Sequence, residues 1–253
     1  MTPLQKISVV IIALNEEEHI QQCIQSCLPI ADEVIVVDSK STDQTVKLAR
    51  DLGAVVVQKE WEGYGQHKNY GVDLAHNDWI LSIDADELLT PELQDEIRAM
   101  TLDKGSLYWI RNRVNYCGYW VKHTEWKPSY KARLYHRDVR RWNHKIVHEA
   151  LEGTEKVKRV ELVEMMWHYS YTSYEEHLQK TENYARLSAL RWIEESYRPG
   201  PLKRLAGPSV RFIKSYIFQL GFLDGKLGYQ ISRMSAKLAR KKIEYYDAEI
   251  KKS

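Results

Sequence analysis

The segment Ile80 to Leu89, ILSIDADELL, sets Asp84, Asp86 and Glu87 directly behind an apolar run that reads as a buried strand. Acids at the end of a strand are costly to desolvate unless something positive meets them. Two readings answer that cost. In the first, Asp86 and Glu87 favour the N-terminus of a helix that opens at Thr90-Pro91, with proline in its first position. In the second, Asp84 and Asp86 flank a hard divalent cation, Mg²⁺ or Mn²⁺, which takes carboxylate oxygens and keeps positions open for phosphate oxygens. Only the second gives Asp84 a task. Side chains two apart share a face of a strand, and a strand that is ending lets them splay around one ion.

An Asp-x-Asp triplet is common, so its setting has to decide. Ile7 to Leu14 (ISVVIIAL) and Glu33 to Asp38 (EVIVVD) are the continuous apolar runs of strands buried on both faces, as in a parallel sheet. After the first, Asn15 is a plausible N-cap, and Ile20, Cys23, Ile24 and Cys27 recur at helical spacing. After the second, STDQTVKLARDLG reads as a helix stopped by Gly53. A strand at Ala54 to Gln58, a helix in GYGQHKNYGVDLA and a strand over WILSID complete the rhythm. Such alternation specifies right-handed βαβ units in an open, doubly wound, mostly parallel sheet. Ligands on such sheets bind outside the carboxyl ends of the strands. Asn15, Asp38 and Asp84 to Asp86 all fall at those ends, which brings distant residues to one crevice.

Beyond Met100 the pattern changes. Strands are expected at Ser106 to Arg113, in YKARLYH and in VKRVELVEMMWHYS, with an irregular aromatic stretch over 114–130. From Ser173 the chain reads helical, broken once by Pro199, Pro201 and Pro208. The expected division is a catalytic domain over 1–172 and a helical region over 173–253. Residues 1–100 of the former hold the nucleotide-sugar-binding half, and 101–172 the acceptor-side half.

Known nucleotide motifs are missing from the first turn. There is no G-x-x-x-x-G-K-[ST] loop, and ALNEEEH stands where a dinucleotide fold or a nucleotidyltransferase carries glycines. A dehydrogenase and a P-loop ATPase drop out. The formal net charge of +2 argues against a dedicated nucleic-acid binder.

Four segments in this order, SVVIIALNEEEHI, DEVIVVDSKSTDQT, GQHKNYG and WILSIDADE, resemble the N-terminal half of a family-2 inverting glycosyltransferase with a GT-A fold. The later RLYH, VHEAL and GFLDGKLGY are similar to the branch that includes lipopolysaccharide-core β-glucosyltransferases. Lys40 stands where many relatives have glycine, which affects the local turn and spares Asp38 and Asp43. The resemblance implies roles. Ala13 and Asn15 line the base pocket, Asp38 accepts hydrogen bonds from the base or ribose, and Lys68 lies near the nucleotide. Asp84 contacts the ribose or the metal. Asp86 is the main ligand of Mg²⁺ or Mn²⁺, which bridges the diphosphate. For Lys68 the plainer reading is an exposed helix lysine.

Inversion needs a general base on the acceptor hydroxyl. The resemblance puts Glu149 of NHKIVHEALEG in that role, with His148 steering it or touching the acceptor, and with Glu125 and Asp138 as rivals. His168, ending MMWHYS, is either a hydrogen-bonded histidine at the core edge or a second metal ligand. Trp126, among Trp109, Tyr116, Tyr119 and Trp120, is expected to face the acceptor sugar, and the interleaved Arg111, Arg113, Lys122, Lys127 and Arg133 suit an acceptor bearing phosphate or carboxylate groups.

From Arg198 onward 13 Lys and Arg stand against 4 Asp and Glu. Within that basic stretch Phe212, Ile213, Tyr216, Ile217 and Leu220 share one helical face, which suits either an anionic membrane surface or the core. No run is long enough to span a bilayer. Cys23, Cys27 and Cys117 lack zinc-ligand spacing and are read as reduced thiols. With no signal peptide in view, the expected location is cytoplasmic, on the inner face of the membrane. The expected activity is metal-dependent transfer of a hexose from a nucleotide sugar, UDP-glucose-like, to a glycolipid or lipopolysaccharide-core acceptor. The alternatives are a polyprenyl-phosphate acceptor and a nucleotide-sugar-binding module without turnover.

Overall fold

Strand β1 (Ile7–Ala13) shows why its sequence is apolar throughout: Val9 and Ile11 enter one hydrophobic core and Val10 enters another on the opposite face. Each such fully buried side chain contributes about 1.5–3 kcal/mol. The computed structural model describes residues 5–145 and 149–251. They fall into two units, residues 1–113 with 129–169, and residues 114–128 with 170–253.

In the first unit β1 is followed by α1 (Ile20–Cys27), β2 (Glu33–Asp38), α2 (Thr45–Asp51), β3 (Val55–Gln58), α3 (Tyr64–Leu74) and β4 (Trp79–Asp84). The four strands are parallel in the order β3-β2-β1-β4, as the βαβ rhythm requires. α1 turns Ile20, Cys23, Ile24 and Cys27 onto the sheet, the face read from their spacing. α3 lies close against β1 and β2 because Gly71 has no side chain. A Cβ there would sit 2.4 Å from Val10 and 3.1 Å from Val37.

Next come β5 (Glu87–Leu89), α4 (Pro91–Ala99), β6 (Ser106–Tyr116), β7 (Tyr119–Trp120), β8 (Ser129–His136), β9 (Arg141–Trp142), β10 (Leu151–Glu152) and β11 (Lys158–Tyr171). The sheet continues β4-β8-β6-β11-β5, and the β4/β8, β6/β8 and β11/β5 pairs are antiparallel. The sheet is therefore open and mixed, parallel where the alternation runs and antiparallel beyond. The sequence did not reveal β5. It reverses the chain straight after β4 and pairs His168 with Glu87. Thr90 then caps α4 through Leu93 N (3.2 Å), with Pro91 in the expected first position.

The second unit takes the ends of β6 and β11, the β7 hairpin, and helices α5 (Tyr174–Glu194), α6 (Pro201–Ile213) and α7 (Gly225–Ile250). A π-helical turn over Lys214–Phe218 and a 3-10 turn over Gly221–Asp224 join α6 to α7. Asp224 is buried and accepts from Tyr119 Oη (3.0 Å), His123 N (2.8 Å) and Lys122 N (3.3 Å), fixing that corner to the hairpin. Among the described residues no helix is long and apolar enough to cross a membrane. All three cysteines are free thiols.

Candidate active site

Lys68 is the pivot of the crevice. It leaves α3 almost wholly buried, with 1% of its side chain exposed, and its Nζ sits 3.0 Å from Asp84 Oδ1 and 2.9 Å from Glu149 Oε1. The exposed helix lysine of the plainer reading is thereby overturned. Two contacts place α3 so that Lys68 reaches inward. Gly65 passes Asn143, where a Cβ would meet the carbonyl at 1.9 Å. Asn69 exchanges hydrogen bonds with the backbone of Trp142 (2.8 and 3.0 Å). The Trp142 ring lies 4.6 Å beneath the ammonium and is itself held by Tyr135 Oη (3.0 Å). Burial alone would lower the proton affinity of Lys68, but Asp84 and Glu149 outweigh it and raise it above the ordinary value.

A second cation balances the acids. Arg133, on β8, reaches Asp84 Oδ2 (2.9 Å) and Glu87 Oε1 (2.5 Å). Burial would push the Asp84 carboxyl up, yet Lys68 and then Arg133 hold it well below the usual carboxylate range. Glu87 is buried too, and its other oxygen accepts from Asp84 N (3.0 Å), closing the turn between β4 and β5.

Asp86 follows in the same turn and pairs with a histidine. Its Oδ2 lies 3.2 Å from His168 Nε2, and its carbonyl accepts from Tyr169 N (2.9 Å). Burial alone would lower the His168 pKa, but the Asp86 carboxylate raises it overall. Asn112 Nδ2 is 3.1 Å from His168 Nδ1. Asp86 and His168 thus supply one carboxylate and one imidazole, a donor pair that suits Mn²⁺ or Mg²⁺ if phosphate oxygens and water complete the shell. Among the described residues no group of three or more His, Cys, Asp or Glu gathers as a self-sufficient metal cage.

The nucleotide-side residues lie at the ends of β1 and β2. Asp38 is buried and accepts from Ser41 N and Gln58 Nε2 (both 2.9 Å) and from Ser41 Oγ. Asn15 adopts a positive φ of 53°, takes Ser41 Oγ on its N–H (2.8 Å) and accepts from Thr42 N on its side chain (2.8 Å). The Ala13 carbonyl accepts from Ser39 N (2.8 Å). Lys40 has φ 66°, the left-handed region that glycine favours, so the turn is kept despite the substitution.

Other expected residues have surroundings of their own. Trp126 belongs to an aromatic cluster of the second unit, stacked on Tyr171 (5.3 Å) and close to Tyr116 and His177. Glu125 is in that unit as well, and Asp138 pairs with Lys104 at the surface (2.9 Å). His148 lies outside the described residues. Sequence reasoning assigned no part in the site to Glu87, Asn112 or Trp142, and it placed Arg133 with cations for the acceptor. The signal for Arg133 was the demand for a cation beside three acids, but only the pairing of β8 with β4, Leu134 opposite Leu81, names it.

An open mixed sheet, parallel at its N-terminal end and with carboxylates gathered at its strand ends, defines the GT-A class of glycosyltransferases. A family model, glycosyl transferase family 2, matches residues 8–159, and the chain belongs to that family and is a transferase. An uncharacterized glycosyltransferase of Rickettsia bellii (strain RML369-C) is 34% identical, covering 92% of this chain and 83% of the relative. The chain is also similar to the lipopolysaccharide core biosynthesis glycosyltransferase LpsC of Rhizobium meliloti (strain 1021), 27% identical over 85% of this chain and 82% of that one. Glucosyl-3-phosphoglycerate synthase from Mycobacterium tuberculosis, solved with Mn²⁺, UDP and glucosyl-3-phosphoglycerate, overlaps 44% of each chain at 29% identity and a TM-score of 0.36.

Proposed function

We propose that the protein is an inverting hexosyltransferase that moves a sugar from a UDP-linked donor to a lipopolysaccharide-core or related glycolipid acceptor. The observation that carries this reading is Lys68, which holds Asp84 and the Glu149 carboxylate on one ammonium at the carboxyl end of β4. On this reading the Glu149 carboxylate stands where donor and acceptor meet. The similarity to LpsC supports the acceptor class. Ala13, Asn15 and Asp38 take the nucleoside, with Lys68 and Asp84 on its ribose and phosphate side. Asp86 and His168 hold Mg²⁺ or Mn²⁺, which when bound neutralises the leaving diphosphate. Glu149 accepts the proton of the acceptor hydroxyl as that oxygen bonds to the anomeric carbon and the bond to the diphosphate breaks. The catalytic region is assigned to residues 1–172.

Asp86→Asn removes the ligand charge at constant shape. Transfer from UDP-, GDP- or dTDP-sugars should vanish while the circular dichroism spectrum is unchanged, and the wild type should need a divalent ion. Full wild-type turnover in excess chelator would sink the metal assignment.

The region 173–253 is assigned to an anionic membrane surface. No residue of α6 is buried, and Leu205 (86% exposed), Leu202 (78%) and Val210 face outward. In the π-helical turn Phe218 is equally open, with Ile213, Ile217 and Leu220 exposed beside it. Of the face read from sequence, Phe212 and Tyr216 instead stack on each other (5.3 Å) and lie edge-on to Tyr229. A helix with an apolar face and basic borders lies in a membrane surface without spanning it. Anionic liposomes should retain the protein at low salt and release it as salt rises.

A further inference from the structure

The second unit contains a cluster of cations that the glycosyl-transfer site does not use. Lys242 of α7 sets its Nζ 3.8 Å over the ring of Trp192, and Lys203 of α6 sets its Nζ 4.9 Å from the same ring. Lys203 also lies 4.8 Å over Tyr197 and donates to its hydroxyl (3.1 Å). Trp192, on α5, is nearly buried, with Tyr197 and Tyr246 against its ring, so the ring is a fixed floor. Two neighbouring arginines are taken, Arg191 by Glu195 (2.9 Å) and Arg204 by Asp247 (2.7 Å), while Arg211 adds to the positive charge around Lys242. Neither Lys203 nor Lys242 has a carboxylate within 4 Å among the described residues. Two like charges set against one ring repel, and an anion that joins them relieves that repulsion.

We infer that Lys203 and Lys242, over the Trp192 ring, form a binding site for the phosphate group of a membrane lipid. The exposed face of α6 chooses a lipid over a soluble phosphate. Lys203 belongs to α6, which has no buried residue and whose two leucines, Leu202 and Leu205, are both widely exposed, so its ammonium borders side chains that would enter the acyl region. An ammonium on a four-carbon stem beside such residues sits naturally at headgroup level. The cation excess then supplies the charge complementarity. In agreement, burial and then the neighbouring Lys203 and Arg191 bring the Lys242 ammonium down to about 8, outweighing the opposing Glu195, the behaviour of a cation short of counter-charge. The inference rests on the membrane assignment above, which it narrows to a specific headgroup contact.

The test uses the full chain and two readouts. Cosedimentation measures binding to vesicles of phosphatidylcholine with and without phosphatidylglycerol. Mass spectrometry measures the acylation rate of each lysine by an activated ester. Phosphatidylglycerol vesicles should slow labelling of Lys203 and Lys242 by roughly fivefold or more, pure phosphatidylcholine should not, and Lys47 on α2 should keep its rate. The pair Lys203→Met with Lys242→Met keeps the stems and should weaken partitioning about 25-fold at low salt, roughly fivefold for each charge. Binding to anionic vesicles with both lysines still labelled at the free rate would overturn the headgroup site and leave the membrane assignment standing. Failure to bind any vesicle, with both lysines protected by sn-glycerol 3-phosphate, would overturn the lipid as ligand and remove the membrane assignment with it.

Discussion

Lys68 and Lys242 are two lysines in nearly the same local setting with opposite electrostatic outcomes. Each lies over a tryptophan ring, at 4.6 Å in the first unit and 3.8 Å in the second, and each is withdrawn from water. Lys68 meets Asp84 and Glu149 within 3.0 Å, and its proton is held more tightly than in water. Lys242 meets other cations, and its proton is held less tightly. The aromatic floor is therefore not what decides. The count of compensating carboxylates decides, because a desolvated charge is tolerated in proportion to what it is paired with. The first lysine is neutralised within the protein by a preorganised network, and the second presents a charge that a ligand has to complete.

Four outcomes would break or sharpen that contrast. The largest concerns what Lys68 holds. Glu149→Gln removes basicity at constant shape, and transfer should fall by about 10²–10⁴ while donor affinity, measured by calorimetry, is kept. An unchanged rate at saturating acceptor would move the proton transfer to another group.

Next comes the compensation itself. Arg133→Met leaves Glu87 and Asp84 short of a buried cation, a loss of about 3–5 kcal/mol for an uncompensated buried charge. Lys68→Met should cost less, roughly 3 kcal/mol, because Asp84 keeps Arg133 and stays partly open to water. Urea titrations read both, and equal midpoints for wild type and Arg133→Met would show that the network carries no stability.

The pH dependence of the first unit has a definite sign. Asp84 is held below its unfolded value of about 3.9. Its contribution is therefore fully present above about pH 4 and is lost as the pH falls below it. Asp84→Asn should flatten the acid limb of stability against pH, so a limb as steep as the wild type's would refute that share.

The smallest effect belongs to Lys242. Its folded pKa of about 8 lies under the unfolded 10.5, so the unfolded chain binds more protons between those values and stability rises with pH across that window. After allowance for solvent screening the gain is about 1 kcal/mol or less. Lys242→Met should lack it, as the difference between the two thermal melts taken at pH 7 and pH 10. Parallel melts would mean that the ammonium is no less comfortable there than in water.

Local sequence carries what depends on neighbours in the chain. The period of β1 to β4 and of α1, the proline that opens α4, and the placement of Asn15, Asp38 and Asp84 to Asp86 at strand ends follow from residue spacing. So does the family, from four motifs in order. The turn at Lys40 was legible only halfway, since the backbone conformation was kept by a residue that disfavours it. The partners of charges were not legible at all. Lys68 meets Glu149 across 81 residues and Arg133 meets Asp84 across 49. Such pairs are fixed by which strands lie side by side, here β4 beside β8, and by how closely Gly65 and Gly71 let α3 approach. The lysines on Trp192 were hidden for the same reason. Three consecutive helices had to pack together before two like charges met one ring. Residue type determines which charges the chain must bury or expose, and only the tertiary structure decides which of them are neutralised.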